Sequence, residues 1–506
     1  MKSTAKLLSK IRPLGGWGGL FFRKAWHGLL LFLFLLFCVS CNDDDTFTTS
    51  PSNVLSMPFD TLKMDTVFAK IPAASKDFWI YNHSGDGIRC ASVRLQKGNQ
   101  SGFRVNVDGI YLGEKTGYQT SDVEVRKNDS IRVFVELTSP DNGSELYKEI
   151  DDKLIFRLES GVEQVITLNA FAWKADMVRN LEIKNDTTID TTVSGRALVV
   201  YGGIKVNPEA TLTLAPGTTI YFHDDAGIDV MGKLICKGTA EKSVTLRGDR
   251  LDNILGDIPY DVLSGRWQGI HFATSSYDNI IEYTDMHGGK DAIVCDSSDV
   301  TRKKLTVNSS TIHNFRGYGL ALTNSNAYVA NTQISNTYND CVYVCGGELT
   351  MIHNTIAQFY LFSRQGDTIA LRYANINEDK LYPLTNLEVK NCIITGWAED
   401  ALLKENSDSV AFNYHFYNSL IRMSELKDST SAKYFEGVIR DNEKDTTLCY
   451  SHKNFKNVNP HTEDYLFDFH LDSLSKANGA ADTRWMLPLN REGIARDEKK
   501  LNMGCY

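Results

Sequence analysis

Two consecutive stretches decide the fold: Leu305–Leu322 reads LTVNSSTIHNFRGYGLAL, and Ala327–Val344 reads AYVANTQISNTYNDCVYV. Aligned with one another, they place Ile312 opposite Ile334, and Ile356 continues the series at the same interval of 22 residues. Each repeat divides into about three short strands separated by Asn, Gly or Ser. Ankyrin and tetratricopeptide repeats are longer and helical, and the frame of leucine-rich repeats is missing. The repeat therefore predicts a right-handed parallel β-helix, whose coils stack about 4.8 Å apart.

The alignment also predicts which side chains face the core. The isoleucines form one inward column, which Met286 extends upstream, and a parallel series of Val307, Val329 and Met351 forms another. Residues on either side of an inward position point outward, because side chains alternate along a strand. His287 and His313, which each follow a column residue by one, should therefore face outward on adjacent coils.

Polar residues recur at one predicted turn. Asn314, Asn336 and Gln358 occupy matching positions in three successive repeats. Stacked amides at such a turn can bond one another, so we interpret this column as a structural ladder and not as a binding site.

The chain upstream of the repeat has strand character of another kind. From Met57 to about Ala175 it alternates apolar and polar residues in short runs between turn signals, and about seven strands at this spacing predict an antiparallel β-sandwich. We interpret the polar run at 185–195 as a boundary. The expected organisation is a lipoprotein signal peptide at 1–40, a lipidated tether at 41–56, a sandwich at 57–180 and a β-helix with a C-terminal cap at 195–506.

The N-terminus has the pattern of a targeting segment. Residues 29–37, LLLFLFLLF, follow a basic segment, and this run is shorter than the roughly 20 apolar residues of a membrane-spanning helix. The next four residues, CVSC, resemble a bacterial lipobox, in which Cys41 would be acylated. Asp43, Asp44 and Asp45 resemble the surface-export signal of Bacteroidota lipoproteins. Cleavage by an ordinary signal peptidase, a retained anchor and a merely solvated tether are the alternatives.

Resemblances extend over most of the chain. The segments FRVNVDG and DVEVRKNDSIRVFVEL resemble the Ig-like domains that follow the anchor in Bacteroidota surface lipoproteins. The segments VNPEATLTLAPGTTIYF and RWQGIHF, and an ending with Arg496, Gly504 and Tyr506, resemble parallel β-helix lipoproteins and pectin-lyase-like proteins. The expected fold class is all-β, with an N-terminal Ig-like β-sandwich followed by a right-handed parallel β-helix. This fold hosts both lyases and inert rods, so it does not imply an activity.

Ten cysteines are present, of which Cys38 would leave with the signal peptide. Aligning DAIVC with CVYVC places Cys295 and Cys345 in one column, two coils apart and beyond disulfide reach. We expect mostly free, buried thiols. The sequence has no Cys-x-x-Cys or His-Cys spacing, so no metal site is predicted.

One group of residues is a candidate for catalysis. A lyase on this fold needs a basic residue near calcium-binding carboxylates, and a hydrolase needs two or three carboxylates on one wall. The best candidates are His287, His313, Lys290 and Asp285. Outward polar residues are also what any β-helix wall presents, and we favour that interpretation.

The candidate residues for ligand binding are aromatic residues expected at the surface and residues of two insertions. Trp397 and Tyr360 are placed to stack on sugar rings, and Arg364 lies in an insertion at Tyr360–Thr385. A second insertion spans Asp249–Arg266. Trp397 could equally cap a coil.

Charge and targeting narrow the function. The chain carries a net charge of −9, and removing the six basic residues of 1–40 leaves −15, which disfavours nucleic acid. We expect a lipid-anchored protein of the outer membrane, exposed at the cell surface, that binds without catalysis. The partner would be an outer-membrane β-barrel complex or a glycan. The alternative is a polysaccharide lyase or glycoside hydrolase. No cofactor is expected beyond the lipid on Cys41, with calcium only for a lyase.

Overall fold

The computed structural model describes residues 46–254, 258–362, 368–425, 432–441, 450–459 and 467–506. The predicted lipidation site at Cys41, the export signal at Asp43–Asp45 and the binding candidate Arg364 lie outside these residues. In the described part, no helix is long and apolar enough to span a membrane. The same residues form strands and short 3-10 helices, which confirms the predicted all-β class.

Residues 46–174 form two sheets packed face to face. Their strands are β1 (Thr61–Phe68), β2 (Lys76–Tyr81), β3 (Ile88–Leu95), β4 (Phe103–Val107), β5 (Ile110–Tyr111), β6 (Gln119–Thr120), β7 (Val123–Val125), β8 (Ser130–Leu137), β9 (Tyr147–Leu158) and β10 (Glu163–Trp173), with 3-10 turns at Gly98–Gln100 and Glu114–Thr116. One sheet has the order β1-β10-β9-β3-β6, with β7 beside β3, and the other has the order β2-β8-β4-β5. Alternate residues of both sheets, among them Val133 and Phe156, share one buried cluster, as in a β-sandwich.

The rest of the described chain forms one long parallel sheet and small hairpins. The strands are β11 (Ala175–Ile183), β12 (Thr187–Ile189), β13 (Ala197–Val206), β14 (Thr211–Leu214), β15 (Thr219–Phe222), β16 (Ile228–Val230), β17 (Lys233–Lys237), β18 (Val244–Gly248), β19 (Asn253–Ile254), β20 (Ile258–Pro259), β21 (Ile270–Phe272), β22 (Asn279–Glu282), β23 (Thr284–His287), β24 (Ile293–Cys295), β25 (Leu305–Asn308), β26 (Thr311–Phe315), β27 (Leu320–Ala330), β28 (Gln333–Thr337), β29 (Val342–Ile352), β30 (Thr355–Gln358), β31 (Leu371–Ala374), β32 (Ile376–Asn377), β33 (Lys380–Leu381), β34 (Leu384–Lys390), β35 (Ile393–Gly396), β36 (Leu402–Glu405), β37 (Phe412–Tyr417), β38 (Leu420–Arg422), β39 (Phe435–Glu436), β40 (Ile439–Asp441), β41 (Phe455–Asn457) and β42 (Asp468–Leu471). Short 3-10 turns lie at Tyr260–Val262, Ser451–Asn454, Thr483–Trp485 and Glu498–Lys500.

Pairing between successive coils divides the parallel sheet into three walls. Wall A contains β15, β18, β23, β26, β28, β30, β35, β38 and β40; wall B contains β16, β21, β24, the start of β27 and of β29, β31 and β36; wall C contains β12, β14, β17, β22, β25, the end of β27 and of β29, β34, β37 and β39. The strands β11 and β13 each run from wall A into wall B. This arrangement is a parallel β-helix, as the repeat predicted.

The predicted core columns are confirmed. Met286, Ile312, Ile334 and Ile356 pair in sequence along wall A, and all four are fully buried. In the same way, Val307, Val329 and Met351 pair from coil to coil along wall C and are fully buried. Burying apolar side chains in this way stabilises a coil by about 25 cal/mol per Å² of apolar surface removed from water.

The sequence predicted that Asn314, Asn336 and Gln358 form hydrogen bonds to one another, and this prediction is wrong. Asn314 and Asn336 do align, and both have a positive φ (58° and 55°), which Asn tolerates better than most residues. The Oδ1 atom of Asn336 accepts a hydrogen bond from the backbone N–H of Phe359, and Gln358 bonds to Thr337. These amides therefore satisfy the backbone of the turn and do not bond one another.

A different polar ladder lies inside the corner between walls C and A. Its buried members are Thr284, Ser310, Thr332, Asn354, Cys392 and Ser419. The backbone N–H of each of the first five donates to the side chain of the next member, one coil ahead, for example from Thr332 to Asn354 Oδ1 at 2.9 Å and from Cys392 to Ser419 Oγ at 3.0 Å. Each accepting side chain thus satisfies a buried backbone group that would otherwise lack a partner.

The β-helix begins earlier than residue 195, the start that the sequence predicted. Strand β11 pairs with β13, and Thr187–Ile189 pairs with Leu212–Leu214, so the polar run at 185–195 belongs to the first coil. Polar residues suit this part of the first coil, because Thr187 and Thr188 are exposed there. Only Lys174 separates β10 from β11, so the last sandwich strand leads directly into the first coil.

An aromatic cluster joins the sandwich to the β-helix. Phe68 of the sandwich lies 4.9 Å from Tyr221 of wall A, measured between ring centroids, and 5.9 Å from Trp173. Ala197 and Val199 complete this buried cluster. The two parts therefore share a packed apolar interface as well as a short connection.

The segment 482–506 folds back along the corner between walls C and A. Asn331 donates to the carbonyl of Leu489 and accepts from Arg496, each at 2.9 Å, and the N–H of Gly504 donates to the carbonyl of Asn391 at 2.8 Å. The Arg and Gly of the C-terminal resemblance therefore hold this segment against the coils.

The described cysteines are buried and free, as expected: Cys90, Cys236, Cys295, Cys341, Cys345, Cys392 and Cys505. The alignment of Cys295 with Cys345 was wrong by one residue. Cys295 pairs with Leu322, whereas Cys345 pairs with Thr323. The spacing of the inner residues, and not the shared sequence letters, sets the register.

Candidate binding groove and histidine cluster

Outward side chains of wall B form a row that is polar except for its last member, Val294. Glu182, Lys205, Asp229, His271 and Val294 pair in sequence from coil to coil. Their neighbours in each strand point into the core, so alternation places this row on the outer surface.

Glycines at the turn from wall A into wall B make this surface concave. Gly203 and Gly269 have φ angles of 91° and 89°, a region that other residues rarely adopt. A Cβ atom at Gly269 would lie 1.6 Å from the carbonyl oxygen of Asp291. The turn can therefore lie close to the next coil, and the result is a groove of about 690 Å³.

The groove is acidic. His271 lies between two carboxylates, with Nδ1 3.2 Å from Asp229 and Nε2 3.1 Å from Asp296. Three further acids line the groove, namely Glu182, Asp225 and Asp291. Lys205 adds one positive charge, so carboxylates outnumber the cationic groups and the field favours neutral or cationic ligands.

Aromatic residues continue wall B beyond the groove. Asp291, at the groove's edge, accepts a hydrogen bond from the N–H of Tyr318, and Tyr318 stacks on Tyr343 with ring centroids 5.5 Å apart. In the next coil Arg372 pairs with Asp340 at 2.7 Å and with Glu405 at 2.9 Å. The wall thus offers half-buried ring faces beside a charged network.

The structure brings together three of the four predicted catalytic candidates. His287 and His313 are paired on adjacent coils of wall A, as predicted, and Asp285 lies two residues before His287 on the same face. Asp285 Oδ1 is 2.6 Å from His287 Nδ1 and 3.6 Å from His313 Nε2. Lys290 is not part of this cluster: its side chain is exposed and makes no hydrogen bond or ion pair within the described chain.

His287 is covered, although the sequence placed it outward. The described residues of the insertion 249–266 fold over wall A and place Asp261 Oδ1 3.4 Å from His287 Nε2. Burial alone would lower the pKa of His287, but the carboxylates of Asp285 and Asp261 raise this pKa to about 9. Burial acts to raise the pKa of Asp285, yet His287 and His313 together lower it. Asp285 and His287 therefore form an ion pair at neutral pH.

A cleft beside the cluster opens to solvent. It has a volume of about 240 Å³ and is lined by Asp285, Tyr283, Arg491 and Glu492 among others. Arg491 Nη1 donates to Thr311 at 2.6 Å, and its guanidinium lies over the ring of Tyr506. The C-terminal segment thus forms one side of the cleft.

The predicted sugar-stacking residues are packed inside the protein. Trp397 is partly buried against Phe359, with ring centroids 4.9 Å apart, and borders the core of the C-terminal cap. Tyr360 is 5% exposed, and its hydroxyl lies 2.5 Å from Ser264 Oγ in the other insertion. Both insertions fold onto the β-helix at these contacts.

The 22-residue repeat does not predict the groove on wall B. The signal that could have revealed it was the glycines that precede one strand per coil, at Gly203, Gly227 and Gly269, each followed two residues later by a charged or imidazole side chain. These spacings are irregular, because the insertion 249–266 interrupts them, so the 22-residue period does not reveal them.

Comparison with family models and with curated proteins gives no match. Among solved structures, one described as the crystal structure of the Agl-KA catalytic domain aligns with 72% of this chain and 79% of its own, at 13% identity and a TM-score of 0.23. A similarity at that level carries no argument about function.

Proposed function

We propose that this chain is a lipid-anchored lipoprotein of the outer membrane, exposed at the cell surface, whose β-helix binds a carbohydrate chain in the groove of wall B. The anchor is proposed from the lipobox-like Cys41 and the acidic Asp43–Asp45 that follow it. The Ig-like sandwich would act as a spacer between the lipid and the β-helix.

The observation that carries the binding proposal is the groove of about 690 Å³ itself. Its walls present carboxylates, an amide at Asn180, another at Gln268 and an imidazole at His271, which are the hydrogen-bonding groups that sugar hydroxyls match. The groove runs across several coils, so an extended chain of sugar rings can lie along it. Tyr318 and Tyr343 continue the surface with ring faces.

Charge narrows the ligand class. Five carboxylates surround the groove, on Glu182, Asp225, Asp229, Asp291 and Asp296. A polyuronate would meet five carboxylates and one lysine along the groove and would be repelled overall, whereas a neutral or amino-sugar polymer would not. The same argument weighs against the alternative of a uronate lyase acting in this groove.

Affinity electrophoresis or calorimetry with neutral, amino-sugar and uronate polysaccharides tests the proposal on the full chain. His271→Ala and Tyr343→Ala should each weaken binding of the preferred polymer about tenfold, since each removes one polar or stacking contact. His415→Ala and Tyr111→Ala are matched controls, because both side chains lie away from wall B; Tyr111 is exposed, and His415 is half-buried on wall C. Unchanged affinity in the groove variants, or binding to none of the polymers, would contradict the proposal.

A second candidate function is docking onto an outer-membrane β-barrel protein. It is favoured by aromatic side chains on the outer face of the sheet β2-β8-β4-β5. Trp79 is 43% exposed and Phe134 37% exposed, and the guanidinium of Arg132 lies over both rings. Aromatic and Arg side chains are enriched where proteins bind one another. When the natural chain is purified in mild detergent, an outer-membrane barrel protein should co-purify with it. The Trp79→Ala variant should no longer co-purify with that barrel protein.

A further inference from the structure

The geometry points to a binding site for one divalent transition-metal ion, of the zinc class, made by Asp285, His287 and His313 on wall A. This inference concerns a different wall from the glycan groove and does not depend on it. The three ligand atoms that these residues offer all lie within 4.8 Å of one another.

The β-helix register assembles the three ligands. Asp285 and His287 are two residues apart on one strand, so their side chains point to the same face. Strand pairing puts His313 directly opposite His287 in the next coil. All three groups are thus fixed by backbone hydrogen bonds and not by a mobile loop, which is the kind of support that a precise ligand set needs.

The spacing is close to that of a tetrahedral centre. Metal–ligand bonds of about 2.0–2.1 Å place neighbouring ligand atoms about 3.3 Å apart. Here the Asp285 oxygen is 2.6 Å from His287 Nδ1 and 3.6 Å from His313 Nε2. To reach that spacing, the first distance must open by about 0.7 Å and the second must close by about 0.3 Å. The ion would replace the proton that His287 Nδ1 now donates to Asp285, and that proton would pass to solvent.

Asp261 would orient the buried imidazole. With the metal on Nδ1, the Nε2–H of His287 points at the Asp261 carboxylate, 3.4 Å away. His287 is 9% exposed, and its Nε2 has no well-aligned hydrogen-bond acceptor in the described residues. A ligating histidine commonly donates its other N–H to a carboxylate in this way. Asp261 is itself held by Arg247 at 2.5 Å.

The chemistry of the ligands and the access both suit such an ion. Two imidazole nitrogens and one carboxylate favour zinc, copper, nickel or iron over calcium, which prefers oxygen ligands. Asp285 lines the cleft of about 240 Å³, so a fourth position can take water. Arg247 and Arg491 bring positive charge nearby, but Asp261 and Glu492 lie beside them.

Zinc titration of the full chain, freed of metal by a chelator, tests the site. The natural chain should bind one equivalent of Zn²⁺. His313→Ala and Asp285→Asn should each weaken the binding at least 100-fold. His415→Ala, at a half-buried histidine on wall C, should bind zinc as the natural chain does.

Co²⁺ gives a second readout, because its visible absorption reports tetrahedral coordination and does not depend on stability. His313→Gln retains size and polarity and covers the case in which the alanine variant fails to fold. If the natural chain binds zinc no more tightly than about 100 μM, or if the cluster variants bind it equally well, the group is a structural ion pair only and the inference is overturned.

Discussion

His287 lies directly opposite His313 in the neighbouring coil, with ring centroids 5.0 Å apart and ring planes inclined by 30°. Two imidazole side chains that can each carry a positive charge lie side by side here. The negative charge of Asp285, which contacts both rings, offsets their repulsion. The contact follows from register alone, since the two residues pair along wall A. What makes His287 unlike an ordinary outward residue is the insertion that covers it.

Asp261→Ala should lower zinc affinity about 10- to 100-fold without abolishing binding, because the carboxylate orients His287 and does not itself ligate. Calorimetry measures this change. Asp252→Ala is the matched control, since Asp252 lies in the same insertion but pairs with Arg250. Loss of all binding in Asp261→Ala would mean that Asp261 is a ligand.

Acid should destabilise the β-helix through His353. Burial, reinforced by the charge of Arg496, lowers the pKa of His353 to about 3. An unfolded histidine has a pKa near 6.5, so the unfolded chain binds the extra proton between these values and stability falls as the pH drops below about 6.5. Between pH 6.5 and 4.5 the loss is about 2–3 kcal/mol.

His353→Asn should remove this pH dependence. His353 has a φ of 54° in a column that elsewhere contains Asn331, Asn391 and Asn418, so asparagine suits the backbone there. Urea unfolding at both pH values, compared between the variant and the natural chain, isolates the contribution of this residue. Equal sensitivity to acid in both proteins would show that His353 is not buried as a neutral group.

Asn354→Ala should destabilise the β-helix by about 2–3 kcal/mol. The amide accepts from the N–H of Thr332 and donates to the carbonyl of Val329, each at 2.9 Å, inside a fully buried ladder. The variant leaves both backbone groups without these partners. Denaturant unfolding measures the effect, and Asn339→Ala, an exposed asparagine in the same repeat, should change stability by no more than about 0.5 kcal/mol.

Gly269→Ala should be strongly destabilising. The new Cβ atom would overlap the carbonyl of Asp291 in addition to the strain of a positive φ. Gly479→Ala separates the two causes, because Gly479 also has a positive φ but nothing lies within 4 Å of a Cβ there. The control should cost about 1–2 kcal/mol and Gly269→Ala clearly more. Similar unfolding midpoints would show that the turn can widen.

Thiol titration should distinguish folded from unfolded protein. The seven described cysteines are buried and free, and burial raises the pKa of Cys236 to about 12. Thiolates are the reactive form, so these groups should react slowly in the native chain. After denaturation without reductant, at least six thiols should react at once. A smaller number would indicate disulfides.

Much of the fold followed from the sequence because a β-helix repeats its own contacts. The 22-residue spacing alone places Ile312 and Ile334 in one column, since similar coils stack with a fixed register. The pairing of His287 with His313 was predicted in the same way, because each follows a residue of this column by one position. The error in aligning Cys295 with Cys345 arose in the coil of Cys295, because Ile293 follows Met286 by seven positions whereas Leu320 follows Ile312 by eight. The period of 22 residues does not report that shorter turn.

The sequence by itself determined the repeat, the inward columns and the candidate cluster, because those depend on side-chain alternation and on spacing along the chain. Only the tertiary structure decided that Asp261 covers His287, that the first coil begins at Ala175, and that glycines allow the outer face of wall B to form a groove. These features join segments with no common period, and their positions depend on packing that no local pattern encodes.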